Sequence, residues 1–235
     1  MGGRIVLITG CTGGLGRTVA ATFAADGAKL ALAGSDRDRI DRLAADLALP
    51  DDGWMPVPVD LRDRDAARAA VGAVVDRFGA VDVLVHLVGG WSGGTAVVDL
   101  EPGDLNAMLD PHLWMTFNVT QAVLPGMLER GWGRIMAVSS PFAANPGPRG
   151  AAYAIAKAAE EILIRTVARE VASTGVTANL LVVKAIDTAH ARDADPSPKN
   201  ASWTTPEEAA ASIRFICSDD AAAVNGARIP LDGRA

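Results

Sequence analysis

Metal and disulfide chemistry have little to work with in this sequence. It holds only two cysteines, Cys11 and Cys217, and three histidines in 235 residues. That is too few for a disulfide framework or a cysteine-based zinc site, and both thiols are expected to be reduced. No run of 18 or more apolar residues occurs, which excludes a membrane-spanning helix. The opening MGGRIVLITG runs straight into a strand pattern and lacks the regions of a signal peptide, so a cytoplasmic protein is expected. Lysine and arginine total 22 against 28 acidic residues, a net charge of −6, which argues against nucleic acid or an anionic membrane as partner. Tyrosine is represented once, at Tyr153.

What the chain has in quantity is apolar residues, at 49%. They gather in short runs at 4–9, 29–34, 54–59, 81–87, 133–139, 176–183 and 227–231. Most runs are continuously apolar rather than alternating, as parallel strands covered on both faces require. Amphipathic stretches separate them. In 63–78, Ala66, Ala67, Ala70, Val71, Val74, Val75 and Phe78 recur at helical spacing, with Arg64, Asp65, Arg68 and Asp76 opposite. Gly27 and Gly79 stand where a helix ends in a left-handed cap. The pattern predicts an α/β fold, a doubly wound seven-stranded parallel sheet with helices on both faces, in one domain over 1–235. The irregular stretch 188–205, with Pro196 and Pro198, reads either as a surface loop or as a lid over a site.

The first strand ends in Thr9-Gly10-Cys11-Thr12-Gly13-Gly14-Leu15-Gly16, and a helical run follows. Glycines there permit a tight turn and close backbone approach to a pyrophosphate, while the helix N-terminus offers unpaired N–H groups. Farther on, Tyr153 and Lys157 lie four apart in a helix-forming segment, so both project from one face. A cation beside a phenol favours the phenolate, which suits a general acid/base.

Thr9, Gly10, Gly14 and Gly16, followed by Asp60-Leu61, Ser140, Tyr153-x-x-x-Lys157, Asn179 and the C-terminal TPEEAAASIRFICSDDAAAVNGARIPLDG, resemble the short-chain dehydrogenase/reductase family along essentially the whole chain. The chain is similar to 3-oxoacyl-acyl-carrier-protein-reductase-like members of that family. The resemblance implies an oxidoreductase that moves hydride between a nicotinamide and a carbonyl or alcohol. It implies Tyr153 as general acid/base, Ser140 as hydrogen-bond donor to the substrate oxygen, and Lys157 as the group that tunes Tyr153 and holds the nicotinamide ribose. For the dinucleotide it implies Gly10, Thr12, Gly14, Leu15, Gly16, Ser35, Arg37, Asp60, Leu61, Gly89 and Thr188. A homo-oligomer, tetramer or dimer, is expected through two long helices near 111–131 and 150–173.

Four places depart from the family pattern. His86-Leu87-Val88-Gly89 replaces Asn-Asn-Ala-Gly, and His86 is expected to be structural. His112 stands where the family's fourth catalytic asparagine stands; as a relay it would bring an ionisation near neutrality. Asn118 is out of register for that role. Val183-Lys184 replaces Pro-Gly, and Gly89-Gly90-Trp91-x-Gly93-Gly94 with Ser202-Trp203-Thr204 is similar to dihydropteridine reductases. Strand 2 ends in Gly34-Ser35 rather than a carboxylate, with Arg37 close by, which favours NADP(H) over NAD(H); Asp36 suits a helix cap. Trp91, Phe142 and Trp203 are expected around a small or mid-sized apolar substrate. Two other readings remain open: a repurposed member catalysing isomerisation, elimination or cyclisation, and a cofactor-binding protein without turnover.

Overall fold

Residues 5–9 read Ile-Val-Leu-Ile-Thr, and all five are buried. Ile5 and Leu7 enter one apolar core while Val6 and Ile8 enter another. Successive strand side chains point to opposite faces, so a strand buried on both sides has no polar position to reveal its period. This pattern sets the architecture of the computed structural model, which describes residues 1–195, 197 and 200–232.

The chain runs through β1 (Ile5–Thr9), α1 (Gly14–Ala25), β2 (Lys29–Gly34), α2 (Arg37–Asp46), β3 (Trp54–Pro58), α3 (Arg64–Phe78) and β4 (Val83–His86). It continues through α4 (Pro102–Leu109), α5 (Met115–Arg130), β5 (Gly133–Ser139), α6 (Ala151–Glu170), β6 (Val176–Val183), α7 (Ala191–Ala194), α8 (Pro206–Ile216) and β7 (Arg228–Leu231). The seven strands pair in parallel in the order β3-β2-β1-β4-β5-β6-β7. Pro56, Pro58 and Pro230 sit in β3 and β7, the two edge strands, where a missing N–H costs the ladder least. Val74, Val123 and Ile164 of α3, α5 and α6 cover one face; Val19, Ile40 and Ile213 of α1, α2 and α8 cover the other. Both cores share one sheet, so the fold is a single Rossmann-like domain.

Helix ends follow from short polar side chains. Asp36 caps α2 by accepting from the Arg39 N–H at 3.1 Å, and Asp63 caps α3 by accepting from Asp65 and Ala66. Gly79 closes α3 at φ 89°, and Thr205 with Glu208 forms a capping box at α8. Helix α1 is not capped this way. Its cap is Gly13, which has no side chain to offer, and its first turn carries no acidic residue, as is also true of α6 at Gly150.

The strands fall within two residues of the expected runs. The long helix expected over 111–131 is α5, and its first residues belong instead to a π-helical turn at Asp110–Trp114, containing Pro111, that joins it to α4. Proline has no N–H to continue an α-helical ladder, and the wider turn accommodates it. The stretch 188–205 is pinned at both ends. Asp187 accepts from the N–H groups of Ala191 and Arg192, both at 2.8 Å, and the buried Arg192 guanidinium binds both oxygens of Glu208 and the Trp203 carbonyl. Pro196 and Pro198, part of the expected lid, lie outside the described residues.

Candidate active site

Strands β1 and β4 are neighbours in the sheet although β2 and β3 separate them in sequence. Chain direction across the sheet reverses here, and a crevice opens beyond the carboxyl ends of the two strands. Gly10 follows β1 at φ 70°, and a Cβ there would lie 2.9 Å from the Leu87 carbonyl carbon. A Cβ on Gly16 would run into the Cys11 carbonyl oxygen, and one on Gly14 into the exposed Thr188 side chain. The glycines thus let the turn fold on itself, and they leave the uncapped start of α1 facing the crevice with Leu15 buried behind it.

Three cavities follow one another along this edge. One of about 400 Å³ is lined by Thr12, Gly13, Gly14, Arg17, Arg39 and Arg42 among others. A second, about 300 Å³, includes Gly10, Ser35, Asp60, Leu61 and Met115. The third, about 270 Å³, brings Gly89, Trp91, His112, Tyr153, Lys157 and Lys184 together.

Tyr153 and Lys157 stand one turn apart on α6 and share the third cavity. Lys157 is buried, and its Nζ donates to the Val138 carbonyl at 2.6 Å and to Glu160 Oε2 at 2.7 Å. Ser140 opens a 3-10 turn at Pro141–Ala143, where its Oγ accepts from the Phe142 N–H at 3.4 Å. The Phe142 ring meets Tyr153 at a centroid distance of 6.0 Å, which brings the Ser140 turn up to the tyrosine. Ser140 and Tyr153 are not hydrogen-bonded to each other among the described residues. The cavity wall is Ser139, whose hydroxyl is committed to Glu161 at 2.8 Å.

His112 lies in the π-helical turn with its ring edge-on to Tyr153, centroids 5.5 Å apart. Its Nε2 donates to the Gly90 carbonyl at 2.9 Å, which leaves Nδ1 buried without a partner among the described residues. Burial, and then the Lys157 charge, push its pKa down to about 4. The ring is therefore neutral at neutral pH, and the ionisation near neutrality expected from the sequence is corrected downward. Gly89 has a reason to be glycine: a Cβ would lie 2.8 Å from His112 Cε1. His86 is fully enclosed, with Nδ1 2.7 Å from the Thr9 hydroxyl, and burial with the Lys157 charge lowers it to about 3. A structural role fits it.

On the other side of the crevice, Asp60 is exposed and held by Arg62 at 2.6 Å, which lowers its pKa. Leu61 is buried, and the Asn118 amide donates to the Leu61 and Arg62 carbonyls at 2.9 and 3.1 Å. Asn118 thus braces the loop after β3. Ser35 lines the second cavity as expected, but Arg37 lines none of the three, because its guanidinium turns back along α2 to Asp41 at 2.8 Å. Of the arginines lining the cavity beside the glycine turn, Arg39 donates to the Thr12 carbonyl at 3.2 Å. Trp91 lines the third cavity and Trp203 does not. Reading the sequence also missed Glu160. The signal was there: residues 153, 157 and 160 fall on one helical face.

The sequence model of the family described as short chain dehydrogenase matches residues 4–199. A 3-oxoacyl-[acyl-carrier-protein] reductase of Thermotoga maritima is 28% identical, over 98% of this chain and 97% of its own. The D-threitol dehydrogenase of Mycolicibacterium smegmatis is 29% identical, over 98% and 92%. Among solved structures, the 3-ketoacyl-(acyl-carrier-protein) reductase of Brucella melitensis in complex with NADH superposes with a TM-score of 0.88 at 26% identity, covering 99% of this chain and 98% of that one. Levodione reductase gives 0.89 at 28%, covering 99% and 97%. The glycine turn at the reversal of the sheet, the Tyr153–Lys157 pair on α6 and the match across 4–199 agree, and the chain belongs to the short chain dehydrogenase family.

Proposed function

We propose that this protein is a nicotinamide-dependent oxidoreductase that interconverts a carbonyl and an alcohol, with Tyr153 as its general acid/base. The observation that carries this reading is the shared cavity of Tyr153, Lys157 and Gly89, one crevice away from an uncapped, glycine-lined helix N-terminus. The residues present suit a dinucleotide. Open N–H groups at Gly14–Gly16 match a pyrophosphate. The cavity of Gly10, Ser35, Asp60 and Leu61 has room for an adenosine, and that of Tyr153 and Lys157 for a nicotinamide. When bound, the dinucleotide supplies or accepts hydride.

The protein's own residues would manage the proton. Tyr153 gives its phenolic proton to a developing alkoxide, or takes one from an alcohol. Ser140 is assigned to donate to the same oxygen as charge grows there. Lys157 favours the phenolate form of Tyr153 electrostatically. Thr188, across from Gly14, is assigned to the carboxamide end of the cofactor, and Asp60 to the adenine amine in competition with Arg62.

For the cofactor we favour NADP(H) over NAD(H). Strand β2 ends in Gly34, so no carboxylate opposes a 2′-phosphate, and Arg39 lies at the neighbouring cavity. The substrate is a small or mid-sized carbonyl compound beside Trp91. A homo-oligomer is also part of this reading: Ile155 and Ile162, seven apart on α6, are exposed together. Light scattering checks it, since a lone chain has a mass of 24.3 kDa. The test of function is a panel of ketones and alcohols with each cofactor, followed by nicotinamide absorbance. Turnover of none of them would overturn it.

A further inference from the structure

Glu160 is completely buried, and it is not part of the reading above. It stands on the same face of α6 as Tyr153 and Lys157, one turn beyond the lysine. Its Oε2 accepts from Lys157 Nζ at 2.7 Å, the length of a charge-assisted bond, and its Oε1 is 3.3 Å from the Thr116 hydroxyl. Two of the three ammonium donors are thereby fixed, to Glu160 and to Val138, and one is left for the cavity that Tyr153 lines.

We propose that Glu160 is the counter-ion that holds Lys157 as an ammonium, and so positions the charge that acts on Tyr153. An ammonium this deeply buried is costly without a facing anion, and removing one partner of such a pair leaves the other uncompensated. Among the described residues, the surroundings offer no substitute. His86 from β4 and His112 from the π-helical turn are neutral. Thr116 from α5 and the Val138 carbonyl from β5 carry no charge. Glu161, the next residue of α6, is taken by Arg228 at 2.6 Å and by Ser139. Lys184, across the cavity, is itself a cation bonded to Ser202 at 2.9 Å. Burial pushes the Glu160 carboxyl up, and the Lys157 ammonium is the main force drawing it back.

The inference rests on Tyr153 as the reacting phenol, but its test does not require turnover. Tyr153 is the only tyrosine, so the ultraviolet absorbance of tyrosinate in the cofactor-free protein reports that residue alone, with Tyr153→Phe as the blank. Glu160→Gln keeps the shape and hydrogen-bonding capacity but removes the charge. With its counter-ion gone, Lys157 gives up its proton, and the tyrosinate transition moves to higher pH by about one unit or more, as in Lys157→Met. Glu160→Asp, with the carboxylate one methylene farther back, moves it part of the way, and carries the same test if the glutamine variant does not fold. A transition that stays at the wild-type pH, or moves lower, overturns the proposal. In turnover, Glu160→Gln lowers kcat with the carbonyl substrate's KM little changed, and shifts the pH profile in the same direction as the absorbance. Loss of turnover in Tyr153→Phe is decided separately, so failure of the acid/base reading and failure of the counter-ion are told apart.

Discussion

At the scale of single residues, the proposed chemistry concentrates in a few side chains with distinct expected signatures. Tyr153→Phe removes the phenolic proton while keeping the ring that Phe142 and His112 pack against. We expect kcat to fall about a hundredfold or more, the usual share of general acid–base catalysis, with dinucleotide affinity nearly unchanged by fluorescence titration. Full retention of turnover would refute the assignment. Cofactor choice is the second residue-scale matter. Gly34→Asp has room, since the nearest side-chain atom to a Cβ there is 3.7 Å away, and it would set a carboxylate against a 2′-phosphate. It should reverse a preference for NADPH over NADH, and Arg39→Ala should weaken NADPH binding about tenfold or more, the scale of one charge-assisted bond, leaving NADH unaffected. Equal loss for both cofactors would place Arg39 outside the phosphate site. That Tyr153 and Lys157 share one cavity was legible in their helical spacing, while the roles given to them and to Ser140 rest on family resemblance. Arg37 was misplaced because its i,i+4 partner Asp41, one turn on, was not weighed; Asp41 captures it. Glu160 and Glu161, adjacent in an alanine-rich helix, carry no sequence signal of burial, yet both are buried, one on Lys157 and the other on Arg228.

At the scale of elements, the strands were the most legible part, since a strand buried on both faces is apolar at most of its positions. The interruption between α4 and α5 was not. Its π-helical turn depends on Pro111 and on the contact of His112 with Gly89 and Gly90, which are distant in sequence. The segment after β6 was legible as irregular but not as anchored, because the anchor joins residues from two ends. Arg192 on α7 is buried, while Glu208 on α8 is partly open to solvent, and its pKa is held at about 2 mainly by the Arg192 hydrogen bond. Arg192→Met should destabilise the fold by about 1–2 kcal/mol, a figure discounted for the exposure of Glu208. For a domain of this size that lowers Tm by roughly 3–6 °C in calorimetry. Glu208→Gln in the same background should add little, because the two changes break one interaction. Full additivity of the two losses would show that the clamp does not act as a unit.

At the scale of the whole molecule, neutral buried histidines tie stability to pH. His86 and His112 sit inside the fold with pKa values near 3 and 4, against the usual value of 6.5. Their folded values are depressed, so the unfolded chain binds more protons than the native one in the interval between. The stability these groups contribute is present above about pH 6.5 and is lost as pH falls through that interval. Each unit of difference is worth about 1.4 kcal/mol for a group that titrates independently. Glu160 acts in the opposite direction, because burial raises its pKa and protonation relieves the cost as pH falls. The share of His112 is isolated by comparison with His112→Asn, whose amide retains a donor for Gly90 and does not titrate. Wild type and variant should differ most in Tm at neutral pH, where the wild-type ring is unprotonated and well packed. The gap should narrow steadily from about pH 6.5 to pH 4, because only the wild type is losing histidine-linked stability over that range. The same variant should show a kcat profile without any change near neutrality, since the wild-type ring has no ionisation there to lose. Parallel Tm curves from neutrality to pH 4 would mean that His112 titrates at its ordinary value in the folded protein, in a site more open to water than its burial against Tyr153 and Gly89 describes.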